Sequence, residues 1–208
     1  LFLDELPEFS RAALETLRQP LEDREVTVSR VEATVTYPAN FQLVAAMNPC
    51  PCGHFPDLAR CRCTEGQITR YLQKISGPLL DRIDLCVEAS PVTYGDVRGG
   101  GENEASGAIR ARVEQAREIQ KERFMEENIR CNGEMAGRHI RKYCVLGKEE
   151  ETFMEEIFEK LALSARMHDR ILKVARTTAD LAGESKIRLS DLCEAVSYVK
   201  SREKFWGN

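Results

Sequence analysis

The sequence lacks most of what would assign a chain to a special class. It has a single tryptophan, and aromatic residues make up 7% of it. No apolar run approaches the roughly 18 residues of a transmembrane helix, so no membrane partner is expected. No block of about five or more like charges occurs, which excludes an acidic tail or a basic arm. Thirty Lys and Arg stand against 34 Asp and Glu, a formal charge of −4. That balance leaves no electrostatic footprint for nucleic acid over the whole chain, though it is compatible with a local basic strip. The two halves differ little: residues 1–98 carry 14 acids and 10 bases, and residues 99–208 carry 20 of each. There is no internal repeat and no low-complexity tract. No signal-peptide pattern opens the chain, so a cytoplasmic protein with reduced thiols is expected rather than a secreted disulfide framework.

What is present reads as globular. The 208 residues are 42% hydrophobic and 31% charged, which disfavours disorder and suits one domain with a smaller appendage, or one long domain. The opening Leu1-Phe2-Leu3-Asp4-Glu5 reads as a buried strand already under way, and a piece of a longer protein is therefore expected. Ser10 to Gln19 predicts a helix with Phe9, Ala13 and Leu17 at i, i+4 spacing, ended by Pro20. β-branched alternation on both sides of Ser29-Arg30-Val31-Glu32 predicts a hairpin, Phe41 to Ala46 a strand, and Leu85 to Val87 another. Thr64 is placed to cap a helix over about 65–75. Strands alternating with helices argue for a parallel α/β layer. Beyond Gly99-Gly100-Gly101 the pattern predicts helices only, at about 104–127, 136–144, 150–162, 165–182 and 190–203, with Ile171, Ala175, Ala179 and Ala182 on one stripe. The expected organisation is an α/β piece over 1–97, a linker over 98–103 and an all-α domain over 104–208.

Four short stretches can carry chemistry. Asp4 and Glu5 end an apolar strand, where α/β sheets hold ligands. An aspartate there can hold Mg²⁺ through water, and a neighbouring glutamate can orient an attacking water; a strand end turning into solvent is the plain alternative. Asn48 ends a second apolar strand, beside the acids if the two strands are neighbours, or else it makes an ordinary Asn-Pro turn. Arg82, between Asp81 and Asp84, can reach a neighbouring subunit or form a surface ion pair with either acid. Arg166 falls in the first turn of a helix capped by Ser164, where the dipole disfavours a cation, so it meets an anion or plain solvent.

Of the eight cysteines, Cys50, Cys52, Cys61 and Cys63 lie within fourteen residues. Two C-x-C pairs this close can surround one tetrahedral Zn²⁺, with His54 as a spare ligand and Gly53 allowing a tight turn; four idle thiols are the alternative. The other four cysteines are expected to be small buried residues or idle thiols. His139 and His168 are assigned no chemistry, and Trp206 is expected to anchor packing.

In order along the chain, these stretches resemble the AAA+ ATPases, and within them the bacterial magnesium-chelatase-like branch associated with competence. The segments Leu1-Phe2-Leu3-Asp4-Glu5-Leu6-Pro7-Glu8-Phe9, Ala46-Met47-Asn48-Pro49-Cys50-Pro51-Cys52-Gly53, Ser76 to Leu85, Ser164-Ala165-Arg166 and Arg170 to Thr177 carry the resemblance, which spans nearly the whole chain and is weakest over 97–160. It implies a partial AAA+ core, a parallel sheet with a hairpin insert, followed by a helical lid. It also implies that Asp4 and Glu5 correspond to Walker B, Asn48 to sensor 1, Arg82 to the arginine finger acting on ATP of the next subunit, and Arg166 to sensor 2. The stretch Arg24 to Tyr37 then corresponds to a hairpin that faces DNA in related motors, with Arg30 near its tip as a phosphate contact; a purely structural ribbon is the alternative. ATP with Mg²⁺, a homo-oligomeric ring (a hexamer), and branched DNA in recombination or natural transformation follow as implied ligand, assembly and partner. A chelatase-type ATPase with a protein partner, or a zinc-stapled interaction module without turnover, are the other readings. The phosphate-binding G-x-x-x-x-G-K-[ST] loop of that family has no match here, since the one Gly-Lys is Gly147-Lys148, followed by Glu149. The loop is expected upstream of Leu1, and the 208 residues alone are expected to bind ATP poorly and hydrolyse none.

Overall fold

The computed structural model describes all residues except 31, 91, 93, 100–103, 207 and 208, and the side chains of 96, 97 and 99. The chain forms two compact units, Leu1–Cys86 with Arg202–Asn208, and Val87–Ser201.

The first unit is built on two short parallel strands, β1 (Phe2–Leu3) and β4 (Val44–Ala45), in register Phe2↔Val44 and Leu3↔Ala45. Between them lie two short helices and a hairpin. Ser10 caps α1 (Arg11–Thr16) by accepting from the Ala13 amide at 3.2 Å. The helix does not run to Pro20. It breaks at Leu17 and resumes as α2 (Arg18–Asp23), with Pro20 buried in its first turn, where a missing N–H removes no helical bond. Pro20 thus starts a helix where the sequence predicted an end. Arg24, at φ 59°, closes α2 and turns the chain into the hairpin of β2 (Glu25–Ser29) and β3 (Thr34–Pro38), paired antiparallel with Val26↔Tyr37 and Val28↔Val35. The predicted hairpin is therefore present, and Thr27 and Thr36 are hydrogen-bonded across it at 3.0 Å.

The predicted capping residue of the next helix is also in place. Thr64 and Gln67 form a reciprocal capping box on α3 (Glu65–Leu72). Ser76 caps the single turn α4 (Gly77–Leu80). Leu6, Leu14, Ile75, Leu79 and Leu80 form the buried core, joined by Leu3, Leu17, Leu21, Met47, Ile83 and Trp206. The Trp206 indole N–H donates to the Leu72 carbonyl at 3.2 Å, and Arg202 pairs with Asp81 at 3.1 Å. Trp206 is thus the packing anchor expected of it. The strand predicted at 85–87 does not form: Leu85 is 49% and Val87 72% exposed. Among the described residues no neighbouring strand offers this segment a ladder, and without one a strand does not form.

The second unit is helical. After α5 (Tyr94–Gly99), a helix the sequence pattern did not predict, come α6 (Ser106–Arg123), α7 (Gly137–Tyr143), α8 (Lys148–Lys160), α9 (Ala165–Leu181) and α10 (Leu189–Trp206), the last reaching from this unit into the first. The predicted stripe of α9 is buried at Ile171, Ala175 and Ala179 and ends there, because Ala182 is the exposed residue after the helix. Met135, Ile140, Met154, Leu192 and Val196 pack around it. His139 is buried and caps α7, its Nδ1 accepting from the Ala136 amide at 3.0 Å, a structural role.

A charged knot lies inside this apolar core. Asp180 is fully buried and accepts from Arg123 at 2.7 Å, from Arg176 Nε at 3.1 Å and from Asn132 Nδ2 at 2.7 Å. Arg176 in turn donates to the carbonyls of Glu184 at 2.6 Å and Ser185 at 2.9 Å, just beyond the end of α9. The carboxylate therefore ties α6, α9 and two loops together. Asp180→Ala leaves the buried Arg176 and the partly buried Arg123 without their anion, and a loss of about 3–5 kcal/mol is expected. Urea unfolding followed by circular dichroism tests this, and a loss below about 1 kcal/mol would show the knot to be dispensable.

Candidate functional site

The parallel pair decides which residues meet. Its ladder continues past both strands: the Ala46 amide donates to the Leu3 carbonyl at 2.9 Å, and the Leu6 amide to the Ala46 carbonyl at 3.0 Å. Asp4 and Glu5 therefore leave β1 at the same end at which Asn48 follows β4, and all three are exposed. The condition set from sequence, that the two strands be neighbours, is met. Glu5 adopts a left-handed conformation, φ 50° and ψ 48°, and its amide donates to Asp4 Oδ1 at 2.9 Å. A non-glycine residue there is strained. The strain turns the chain sharply so that Leu6 and Pro7 go into the core while the two carboxylates stay at the surface.

Arg82 follows α4. Its Nε donates to the Arg18 carbonyl at 3.1 Å and its Nη1 to the Pro78 carbonyl at 2.7 Å, and Nη2 is paired with Glu22. The side chain is 16% exposed. The ion pair considered from sequence thus exists, but with Glu22, sixty positions upstream, and no local signal marks that residue. Asp81 is committed to Arg202. Arg30 stands at the end of β2, exposed, its amide donating to the Ala33 carbonyl at 2.9 Å; Val31 lies outside the described residues. Arg166 lies in the second unit, exposed in the first turn of α9, where Ser164 accepts from the Met167 amide at 3.2 Å. A groove of about 890 Å³ in that unit, floored by Ile140, Met154, Phe158 and Leu172 and also lined by Cys144 and His168, holds neither Arg166 nor any of the clustered cysteines.

The four clustered cysteines come together. Cys50 Sγ lies 3.4 Å from Cys52 Sγ and 3.8 Å from Cys61 Sγ, and Cys52 and Cys61 are 3.6 Å apart. All four sulfurs lie within 4.8 Å of one another, and the thiols are free. Four thiolates on one zinc at about 2.3 Å sit about 3.8 Å apart, and the separations among Cys50, Cys52 and Cys61 are close to that. The backbone N–H groups of Arg62 and His54 point at Cys52 and hold its thiol down at about 6, whereas desolvation pushes Cys63 up to about 12. The Phe55 amide donates to Cys50 Sγ at 3.4 Å. His54 contributes its backbone and stays outside the sulfur group. Gly53, at φ 79°, makes the turn, and a Cβ there would meet the Asn48 side chain, 3.7 Å from Cγ and 3.8 Å from Oδ1. That contact between the cysteine turn and the strand-end amide was not legible in the sequence.

A parallel strand pair with acids and an amide at one end, an exposed hairpin between them, and a following helical unit define a partial AAA+ core with a helical domain. The model of magnesium chelatase, subunit ChlI, matches residues 1–97, and that of its C-terminal part matches residues 103–199. The chain belongs to the magnesium-chelatase-like family of AAA+ ATPases. It is 46% identical over 199 residues to the competence protein ComM of Haemophilus influenzae, covering 95% of this chain and 38% of that protein. It is 45% identical to the uncharacterized protein YifB of Salmonella typhimurium and 44% to YifB of Escherichia coli, with the same shares covered. The chain thus spans less than two-fifths of the length of these curated relatives. Among the described residues no helix is long and apolar enough to cross a membrane.

The strained Glu5 makes a prediction. A left-handed residue other than glycine costs about 1–2 kcal/mol, and glycine costs about 0.5–1 kcal/mol of extra chain entropy. Glu5→Gly is expected to stabilise the first unit by about 0.5–1 kcal/mol, and Glu5→Ala not at all. Equal urea midpoints for the two variants would show that the strain is absent.

Proposed function

We propose that the protein carrying this chain is an ATP-driven homo-oligomeric ring motor, a hexamer, that works on branched DNA during recombination of incoming strands. One observation carries the reading: Asp4, Glu5 and Asn48 emerge together from the same end of a parallel strand pair, where α/β sheets bind their ligands. Residues 1–97 are then the later half of the α/β core, 98–103 a linker and 104–208 the lid.

Asp4 suits Mg²⁺, which takes one or two carboxylates and keeps several waters. It is exposed, with Oδ1 engaged by the Glu5 amide. When bound, the metal neutralises charge on the phosphate oxygens. Glu5 orients the attacking water and accepts its proton. Asn48 donates its amide to that water or to the γ-phosphate. Arg82 serves ATP held by the adjacent subunit, giving up Glu22 for a more strongly charged anion. Arg166 reports the γ-phosphate to the lid. Arg30, exposed at the hairpin turn, contacts a DNA phosphate. The 46% identity to a protein named for competence supports DNA as the partner. The match to a chelatase subunit supports the second reading, a ring ATPase whose partner is a protein.

The test is ATP hydrolysis by the full-length protein with and without forked DNA. DNA is expected to raise turnover several-fold, and Arg82→Ala to lower kcat about 10³-fold or more. Glu5→Gln is expected to abolish turnover, and the 208 residues alone to show none. Turnover that needs Arg82 but ignores DNA would put a protein in the place of DNA. Absence of turnover in every form would leave a zinc-stapled interaction module.

A further inference from the structure

We propose that the four-cysteine loop is a mononuclear zinc site that holds Asn48 in position for ATP hydrolysis, so that the metal acts on the chemistry through the asparagine alone. The inference rests on the role given to Asn48 above.

Three observations converge on it. The first is the sulfur geometry. Distances of 3.4, 3.6 and 3.8 Å match the edges of a tetrahedron around one zinc. They are too short for an iron–sulfur cluster, whose cysteines are spread over two or more metals. The second is how little else orders the loop, which is held otherwise by a few turn hydrogen bonds. Residues 46–64 form no helix or strand, and Cys50 is the one buried residue among them. A loop this long with so little core needs a staple, and four thiolates on one metal supply it. The third is the route to Asn48. Cys50, the buried ligand, lies two residues beyond it. The Gly53 amide donates to the Cys50 carbonyl at 3.0 Å, closing a turn whose bare Cα faces the Asn48 side chain. Asn48 is itself exposed, so burial in the core does not fix its rotamer. The turn beside it does, and the metal fixes the turn.

Gly53 is then a positioning residue. Its left-handed φ of 79° favours glycine, and a Cβ there would rest in ordinary contact with Asn48, 3.7 Å from Cγ. A branched side chain at this position puts further atoms beside the amide and strains the left-handed turn.

The experiment uses the full-length protein purified without chelator. Elemental analysis is expected to find about one zinc per chain, and a content below about one-fifth overturns the site. Gly53→Val is expected to keep its zinc and its affinity for a fluorescent ATP analogue within about two-fold, while the single-turnover rate falls about ten-fold or more. Gly53→Ala, which keeps the fold more safely, is expected to show a smaller loss in the same sense. Wild-type rates in both variants overturn the positioning role, as does a rate that falls only in step with nucleotide affinity. A further readout does not depend on catalysis. Zinc removal by a mercurial and chelator is expected to raise hydrogen–deuterium exchange over 46–49 as well as over 50–63. A rise confined to 50–63 overturns the coupling. If the wild type hydrolyses no ATP, the proposed function fails, and the exchange measurement still decides whether zinc holds Asn48.

Discussion

Everything assigned to the first unit depends on a parallel ladder only two residues long. Parallel pairing is the weaker kind per residue, and two strands by themselves make a marginal sheet. The ladder is lengthened by backbone bonds on both flanks, from the Val44 amide to the Leu1 carbonyl and from the Leu6 amide to the Ala46 carbonyl. It is backed on one side by Leu3, Leu6 and Met47, which join the core formed by Leu14, Ile75, Leu79 and Leu80. Parallel direction matters more than stability here. In an antiparallel pair the residues following the two strands would leave at opposite ends. Asp4-Glu5 and Asn48, more than forty positions apart, share one end only because the connection between them crosses back.

That connection shows which parts of the fold were legible and which were not. The hairpin was legible because of its β-branched alternation, and the capping of α3 and α9 because Thr64 and Ser164 each stand just before a helical pattern. Pro20 was misread because proline is tolerated in a first turn as readily as it ends a helix, and only the break at Leu17 decides between them. The segment 85–87 was misread because an apolar run specifies burial or pairing but cannot say whether a partner strand is present. Of the candidate site, the chemical groups were legible and their tethers were not. The cysteines announced themselves by spacing, while Glu22 beside Arg82 and Gly53 beside Asn48 are contacts of the folded backbone with no periodic or compositional trace.

The two units treat buried charge in opposite ways. Around Asp180 every partner is supplied, and the arrangement is fixed: removing the carboxylate strands the buried Arg176 and leaves the partly buried Arg123 unpaired. Arg82 is held by two backbone carbonyls and one half-exposed glutamate. A pair of that kind is worth about 0–1 kcal/mol, whereas a fully enclosed one costs about 3–5 kcal/mol to break. Arg123 and Arg176 are therefore committed to structure, and Arg82 can be recruited. An anion with more charge than one carboxylate, arriving from outside the chain, needs to displace only Glu22.

The same reasoning separates the cysteine loop from the acids it adjoins. Asp4 and Glu5 are placed by backbone strain and ladder bonds that the chain provides for itself, so their geometry survives without a ligand. Asn48 has no such support: it is exposed, it follows the last paired residue of β4, and its neighbour is a turn in a loop without regular structure. The sulfurs of Cys50, Cys52 and Cys61 lie 3.4–3.8 Å apart, and one cation bound among them would supply the strongest set of bonds in the loop. In the proposal above, the metal would do for the amide what the left-handed turn at Glu5 does for the carboxylates. At the one end that both strands share, the fold itself orders the acids, and the proposed zinc would order the amide.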